Sequence, residues 1–247
     1  MQTSASLTAG ALLGRAALLR LLAQAFTYPA DGHRYEVRRQ FERIARMDGR
    51  DLELCRALER ARRAWNRAAD SALQEEYARL FLARGLVSLH ETAYGDGRRI
   101  AGRAAELADI GGFYTAFGLR MAEADPDLPD HLCSELEFYS LLLVKLAYAD
   151  GGGWSPKREI TRRAAAKFLG QHLGRWTGAL TKEIRTHSAA SPYRELAELL
   201  DALISAEIRR TKTRPALLNG RLPRDFMQQD AFLCPREGLP EPVQGPA

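Results

Sequence analysis

The 247-residue sequence has only three cysteines and no long uninterrupted apolar run. Cys55, Cys133 and Cys234 are odd in number, far apart and free of any CxxC pair, which argues against a disulfide-stapled scaffold and a cysteine-rich zinc site. The longest apolar run, 139–149, is interrupted by Lys145 and is shorter than the roughly 20 residues that span a bilayer. Since the N-terminus also lacks the features of a secretory signal, we expect a cytoplasmic protein without stable membrane association.

Motifs of the common enzyme classes are also missing. The histidines form neither an HExxH nor a Glu-x-x-His motif, and the sequence has no Walker lysine motif, no GxGxxG after a strand and no Gly-x-Ser-x-Gly elbow. His131 and Cys133 lie two residues apart but have no further ligands at metal-binding spacing. The sequence therefore predicts a protein that is not an enzyme and that holds neither a metal nor a cofactor.

Lysine is scarce as well, with 5 Lys against 31 Arg, and the formal net charge is +5 with an isoelectric point near 9.3. This positive charge leaves a helical nucleic-acid-binding or regulatory protein as an alternative function. However, the arginines of residues 34–67 alternate with acidic residues, a pattern typical of solvated helix faces rather than of a continuous basic surface. We therefore predict that no nucleic acid is bound.

What the sequence does contain is helical periodicity along most of its length. Apolar residues recur at three- and four-residue spacings and no useful period-two pattern appears, so the predicted fold is all-α, a single bundle-like domain of about nine or ten helices. The stripes expected to face the core are Leu12–Phe26, Val37–Ile44, Leu54–Trp65, Leu73–Leu80, Ile100–Tyr114 (through Ala104, Leu107 and Gly111), Leu132–Leu146, Ile160–Phe168, Trp176–Ile184 and Leu196–Leu203. Helix starts are expected at a capping box, Ser71–Gln74, and at the N-caps Ser155 and Ser191, each followed by proline.

The composition changes near the C-terminus. Six of the eleven prolines lie between positions 215 and 246, and helical periodicity fades after Arg210. We therefore predict a helical domain over residues 1–210 and an extended, proline-rich tail over 211–247. Phe226, Met227 and Phe232 are the tail residues expected to dock on the domain. Within the domain, the triple glycine at 151–153 is the best candidate for a hinge.

One segment departs from the positive charge of the whole chain. Between Met121 and Glu137 there are six carboxylates and no Lys or Arg, namely Glu123, Asp125, Asp127, Asp130, Glu135 and Glu137. A negative surface on a positive protein predicts a small basic partner that is bound at one place. Taken alone, Asp130 also has a sufficient structural explanation, because the helix dipole favours a carboxylate in the first turn of a helix.

Three motifs in this part of the sequence resemble those of a known family. They are Glu76-Tyr77-Ala78-Arg79-Leu80-Phe81, Glu91-Thr92-Ala93-Tyr94 and Pro129-Asp130-His131-Leu132-Cys133-Ser134-Glu135-Leu136-Glu137-Phe138. Together they resemble the TorD/DmsD/NarJ family of redox-enzyme maturation chaperones over residues 71–149. The sequence departs from the family pattern at Thr92, which replaces a serine, and in residues 83–90, which lack the usual prolines.

The resemblance implies a peptide-binding site. In such chaperones the Asp-His pair of the third motif, here Asp130 and His131, lies in the groove that binds the client's leader peptide. The candidate peptide-binding residues of this sequence are Tyr77, Leu80, Phe81, Glu91, Tyr94, Asp130, His131 and Glu135. Helical spacing alone assigns Tyr77, Leu80 and Phe81 to the core, although Leu80 and Phe81 are adjacent and cannot both point the same way.

The resemblance further implies a cytoplasmic, system-specific chaperone. It would bind the twin-arginine leader or the apo form of the catalytic subunit of a molybdopterin-dependent oxidoreductase, assist cofactor insertion and delay export. An accessory subunit that stays in the mature oxidoreductase is another alternative. Chaperones of this family can exchange halves between protomers, and a hinge at 151–153 would permit such an exchange, so a monomer and a homodimer both remain open.

Overall fold

The computed structural model describes residues 4–45, 52–82, 85–95, 102–120, 128–188 and 191–221. Within these ranges the chain forms nine α-helices and no β-strand, which confirms the all-α prediction. The helices are α1 (Ser4–Ala25), α2 (His33–Ala45), α3 (Leu52–Arg67), α4 (Asp70–Phe81), α5 (Arg103–Ala116), α6 (Leu132–Gly151), α7 (Ser155–Gln171), α8 (Leu173–His187) and α9 (Pro192–Thr211), with a 3-10 turn at Glu91–Ala93. Among these nine helices, none has both the length and the apolar composition that crossing a membrane requires.

The centre of the bundle is the pair α1 and α6, which lie against each other along much of their lengths. Both helices are apolar around most of their circumference, as expected of helices with neighbours on several sides. Around them, α9 packs on α3 and α8, while α7 packs on α6 and α8. Each fully buried leucine, such as Leu18 or Leu142, stabilises the folded state by about 1.5–3 kcal/mol.

A buried ion pair fastens this centre to α9. Glu207 is fully buried and accepts two hydrogen bonds from Arg15 of α1, at 2.8 and 2.9 Å. The hydroxyl of Tyr139 on α6 donates to the same carboxylate at 3.2 Å. Because a buried charge without its partner costs about 3–5 kcal/mol, this network strongly favours one arrangement of α1, α6 and α9.

Five arginines of α2 and α3 form ion pairs with carboxylates. Ion pairs in this region join Arg34 to Asp70, Arg38 to Glu42, Arg60 to Glu195, and both Arg62 and Arg63 to Glu59. The interleaved charges of the sequence therefore form a mixed, solvated surface rather than a continuous basic face.

Two of the three predicted N-caps are wrong. Helix α4 begins at Asp70 with Ala69 in the cap position, so Ser71 lies inside the first turn and caps nothing. Asp70 supports this earlier start because its carboxylate lies at the positive end of the helix and pairs with Arg34. Helix α7 likewise begins at Ser155, with Trp154 as its cap residue. The prediction for Ser191 is confirmed, since its hydroxyl accepts from the backbone N–H of Arg194.

Two predicted apolar stripes are also shifted. In α5 the buried residues are Ile110 and Tyr114, whereas Ala104 is exposed, because only the C-terminal half of this helix packs deeply. In α7 the buried residues are Thr161, Ala165, Phe168 and Leu169. Ile160, predicted to face the core, is 63% exposed because it lies one residue outside that face.

Residues 213–221 form an extended strap that returns over the domain after α9 ends. Arg175 of α8 donates to the carbonyl of Ala216 at 3.2 Å, and its own carbonyl accepts from the N–H of Leu218 at 2.9 Å. Gly95 donates to the carbonyl of Gly220 at 3.1 Å, and Arg221 donates to the carbonyl of Leu86 at 2.7 Å. The strap therefore holds α8 and the 85–95 loop together. Phe226, Met227 and Phe232 lie outside the described residues, and the division of the chain at residue 210 remains a prediction.

Candidate functional site

The fold brings the three motif segments together through the 85–95 loop. The backbone N–H of Val87 donates to the carbonyl of Leu80 at the end of α4, at 2.8 Å. Two residues later, the carbonyl of Leu89 accepts from Leu132 at the start of α6, also at 2.8 Å. Residues 87–89 therefore run between the end of α4 and the start of α6, and they carry the Glu91–Tyr94 motif to the same place.

The first motif contributes aromatic side chains. Tyr77 and Leu80 are buried, whereas Phe81 is only partly buried. The Phe81 ring makes edge-to-face contacts with Tyr77 at 5.0 Å and Tyr193 at 5.6 Å between ring centroids. Tyr28, which is 45% exposed, contacts Tyr77 in the same way at 5.5 Å. Of the adjacent pair in this motif, Leu80 faces the core and Phe81 reaches the surface.

Asp130 holds the 85–95 loop in place. Its side chain is fully buried, and one carboxylate oxygen accepts from both the backbone N–H and the hydroxyl of Thr92, at 3.1 and 2.6 Å. The other oxygen lies 3.1 Å from Nδ1 of His90. Burial alone would raise the pKa of Asp130, but the hydrogen bonds from His90 and Thr92 outweigh it and lower the pKa below its usual value. The carboxylate is therefore ionised and already hydrogen-bonded within the protein.

Two imidazole rings, those of His90 and His131, lie close to Asp130. His131 is the N-cap of α6, where its Nδ1 accepts from the backbone N–H of Cys133 at 3.3 Å. The ring of His90 stands edge-to-face on that of His131, with centroids 5.0 Å apart, and the His90 side chain is 32% exposed. An approaching peptide would meet His90 before it met Asp130.

Glu91 and Glu135 form the deepest part of the site, and both are fully buried. Glu135 accepts from the indole N–H of Trp176 at 3.1 Å. Burial, reinforced by the negative charge of Glu91, raises the pKa of Glu135 well above its usual value. A neutral Glu135 explains how two glutamates share an apolar interior.

His172, which precedes α8, and Arg175 of α8 connect Glu91 to carboxylates of α5. Nδ1 of His172 lies 3.1 Å from Glu91, and its Nε2 lies 3.2 Å from Asp109. Arg175 donates to Glu106 at 3.3 Å and lies 3.9 Å from Glu91. Glu106, Asp109, His172 and Arg175 line a cavity of about 490 Å³. Although Glu91, Glu106 and His172 offer atoms at metal-ligand spacing, the Arg175 guanidinium already provides a cation there, and we assign no metal to them.

Tyr94, the last residue of the second motif, is buried. Its ring lies 5.4 Å from that of Trp176, and its hydroxyl donates to the carbonyl of Ser88 at 2.7 Å. Burial raises the pKa of Tyr94 above its usual value, so the hydroxyl remains a donor. The candidate residue Tyr94 thus supports the loop rather than presenting a surface.

The acidic segment is less exposed than its formal charge indicates. Asp130 and Glu135 are buried, and Glu135 has a raised pKa, whereas Glu137 is exposed. Glu123, Asp125 and Asp127 lie outside the described residues. Of the predicted peptide-binding residues with described surroundings, Phe81 offers the largest accessible side chain, while the three carboxylates face the interior.

Sequence reasoning missed the partners that α8 and the residue before it contribute. His172, Arg175 and Trp176 surround Glu91 and Glu135, yet Trp176 was expected only as a core residue. A basic residue, a histidine and a tryptophan within five positions of an otherwise apolar helix start could have signalled a partner for a buried acid. What the sequence could not supply was the spatial distance between these residues, because His172 and Glu91 are 81 positions apart and Trp176 and Glu135 are 41 positions apart.

Comparisons with known proteins identify relatives of this chain. Residues 46–182 match a family described as nitrate reductase delta subunit, which is more than half of the 247 residues. The chain is 36% identical over 137 residues to the selenate reductase assembly chaperone of Thauera selenatis, covering 53% of this chain and 67% of that protein. It is 31% identical over 102 residues to the perchlorate reductase assembly chaperone of Dechloromonas aromatica (41% and 45%), and 27% identical over 164 residues to the chlorate reductase assembly chaperone of Ideonella dechloratans (62% and 82%).

Proposed function

The chain belongs to the nitrate reductase delta subunit family, and from this premise we propose that it is a system-specific chaperone for the assembly of a molybdopterin-dependent oxidoreductase. The relatives described above are named as assembly chaperones of three reductases, not as catalysts. The family match is the observation that carries this conclusion, because it spans all three motifs and the α8 residues around them. The partner is the catalytic subunit of an oxidoreductase.

We further propose that the chaperone binds the leader of this subunit, or its apo form, at the motif site. A twin-arginine leader presents two guanidinium groups beside a short apolar stretch, and the site offers an apolar surface at Phe81 and Tyr28. Binding in the cytoplasm would delay export until the cofactor has been inserted. Because ordering a flexible leader costs free energy, we expect a modest affinity.

Asp130 can meet a leader arginine only if His90 moves. Both carboxylate oxygens are engaged by Thr92 and His90, and the exposed partner of the two is His90. A guanidinium that replaces the imidazole would form charge-assisted hydrogen bonds worth about 1.5–3 kcal/mol each, against the lost bond to His90. We therefore propose that His90 occupies the arginine subsite in the free protein.

Co-purification with the client tests the proposed function. The tagged full chain is expressed in its native host and the bound proteins are identified by mass spectrometry. We expect a reductase catalytic subunit that lacks its cofactor, and less of it when its leader is deleted. Recovery only with the mature, cofactor-containing complex would instead indicate an accessory subunit, and recovery of nucleic acid without a reductase would contradict the chaperone function.

A further inference from the structure

An aromatic pocket lies where the end of α5 meets α6 and α7. Its volume is about 400 Å³, and none of the motif residues lines it. We call it the α6–α7 pocket and define it by Phe117, Tyr148, Trp154 and Ile160 together with Lys145 and Lys157.

The apolar side chains of this pocket are unusually exposed. Tyr148 is 69%, Trp154 50% and Ile160 63% exposed, and all three face the same concavity. Single exposed apolar residues are ordinary on protein surfaces, but several around one concavity mark a place where a partner binds. Aromatic side chains at such a place provide large contact areas with few rotatable bonds.

The indole of Trp154 is held in position although it is half exposed. A Cβ atom on Gly152 would lie 2.8 Å from Cε2 of the indole, so only a glycine allows the ring to rest on the backbone there. On the ring, Nζ of Lys157 lies 4.6 Å from the centroid, a cation–π contact. Gly152, one of the three glycines predicted to form a hinge, thus gives the tryptophan ring its place on the backbone. A side chain fixed before binding loses little conformational freedom on binding.

The charge around the pocket is positive. Two lysines and no carboxylate line it. Helix α7, which forms one wall, has five basic residues and one acidic residue in its sequence. That acidic residue, Glu159, pairs with Arg162 and Arg163.

We propose that the α6–α7 pocket docks an acidic segment of a protein partner. An apolar side chain of that segment would enter between Tyr148 and Trp154, and its flanking Asp or Glu residues would approach Lys145 and Lys157. A leader with two arginines would be repelled by these lysines, so this surface is separate from the motif site and does not depend on it. Membrane insertion is disfavoured because the aromatic rings line a concavity, and phosphate recognition is disfavoured because no arginine lines the pocket.

Tryptophan fluorescence locates the binding of a probe peptide. The chain has three tryptophans, of which Trp65 and Trp176 are fully buried, so acrylamide quenching reports on Trp154. The probe is a short synthetic peptide without tryptophan, with Phe and Leu flanked by Asp and Glu. We expect it to protect Trp154 from acrylamide, with weaker protection at high salt. Matched peptides with Lys in place of the acids, or Ser in place of Phe and Leu, should not protect it.

Variants of the full chain measure the contribution of the pocket, with binding followed by the anisotropy of the labelled peptide. We expect Trp154→Ala to weaken binding roughly tenfold and Lys157→Gln to weaken it less but to reduce its salt dependence. Tyr35→Ala is the matched control, because Tyr35 is 63% exposed on α2 with Arg39 over its ring, and it should bind like the wild type. Circular dichroism verifies that each variant is folded.

Four results would overturn the proposal. The first is equal binding of the acidic peptide and its lysine counterpart. The second is equal binding by the wild type and a folded Trp154→Ala variant. The third is stronger protection of Trp154 by phosphatidylglycerol vesicles or by a single-stranded oligonucleotide. The fourth is an increase in quenching when residues 222–247 are removed, which would assign the pocket to the chain's own tail.

Discussion

Glu135 and Glu91 are both fully buried, and in each of them one carboxyl oxygen, Oε1, has no hydrogen-bond partner among the described residues. Two buried carboxylates that interact electrostatically cannot both be ionised at low cost, so burial and the charge of Glu91 raise the pKa of Glu135 well above its usual value. Trp176 donates to Glu135, and His172 lies within hydrogen-bonding distance of Glu91. The pair thus holds one proton in the folded state over a pH range in which an exposed glutamate is ionised.

Glu135→Gln should make the folded state less sensitive to alkaline pH. Because the folded pKa of Glu135 is raised, its contribution to stability is complete below the unfolded pKa of 4.5 and is lost as the pH rises through the folded pKa. Between the unfolded and the folded pKa of Glu135, the free energy of unfolding of the wild type should fall by up to about 1.4 kcal/mol per pH unit from this group alone. The introduced amide can accept from Trp176 as the carboxyl group does, and it does not titrate.

The measurement is urea unfolding of both proteins from about pH 4, near the usual glutamate pKa, up to about pH 9. Glu137→Gln is the control, because Glu137 is exposed on the same helix, and its difference from the wild type should be constant with pH. A constant difference for Glu135→Gln as well would show that the carboxyl pair does not hold the extra proton.

Asp130→Ala should destabilise the protein in addition to weakening leader binding. The change leaves the buried N–H of Thr92 without its acceptor and removes the partner of His90, so we expect the free energy of unfolding to fall by about 3 kcal/mol. The lowered pKa of Asp130 means that the wild-type contribution is present above pH 3.8 and is lost as the pH falls further. Leader binding, measured by calorimetry under folding conditions, should weaken at least about tenfold, or 1.4 kcal/mol.

A control for instability is needed here. Glu207→Ala breaks the buried pair with Arg15 between α1 and α9, away from the motifs, and should cost about 3–5 kcal/mol. If that variant also loses leader binding, instability explains both results and Asp130 has no special role.

His90→Ala tests whether the imidazole occupies the arginine subsite. The ring covers Asp130 and is 32% exposed. Removing it should leave the carboxylate open, so leader affinity should rise severalfold, by about 1 kcal/mol. A leader with both arginines changed to lysine should gain less, because lysine cannot form the bidentate contact. Unchanged affinity for both leaders would place the arginines elsewhere.

The sequence predicted the helices well because their apolar stripes are long and regular. The stripes of α1, α3, α6, α8 and α9 all lie in the core, and the adjacent pair Leu80 and Phe81 divides between the core and the surface as its spacing requires. Helix starts were less predictable. At α4, a two-residue shift of the N-cap placed Ser71 inside the helix, because the interaction of Asp70 with Arg34 of another helix is not visible in local sequence.

The interior of the candidate site could not be predicted in the same way. A run of acidic residues predicts a negative surface when only the sequence is known. Whether each side chain is buried depends on its tertiary neighbours. Residues of the 85–95 loop and of α8 bury Asp130 and Glu135. The pKa values of the two move in opposite directions for that reason. Motif resemblance identified the right segments, whereas the exposure of each side chain depends on the packed structure.

Phe81→Ala should shorten the lifetime of the leader complex. Phe81 is the partly exposed member of an aromatic group with Tyr77 and Tyr193, so its loss removes apolar contact with the leader. We expect dissociation from an immobilised leader to accelerate roughly tenfold. Raising salt should slow association more than it changes dissociation, because exposed charges act over a Debye length of about 8 Å.

Leu82→Ala is the neighbouring control, since Leu82 is 43% exposed just after α4, and Glu135→Gln should also dissociate like the wild type. If the folded Phe81→Ala variant keeps the wild-type lifetime, Phe81 is a packing residue and the leader binds elsewhere.

Truncation tests where the folded domain ends. A chain that ends at Arg221 should melt like the full chain, because it keeps every strap contact described above. A chain that ends at Arg214 should remain soluble and melt cooperatively, but it loses the buried side chain of Leu218 and the bond from Arg221 to Leu86. We expect its free energy of unfolding to be lower by about 2 kcal/mol, which corresponds to a melting temperature about 4–8 °C lower.

Leu218→Ala in the full chain should reproduce most of this loss. Equal melting of the two truncated chains would mean that the strap adds nothing and that the domain ends near residue 210, whereas aggregation of the shorter chain would make the strap part of the core.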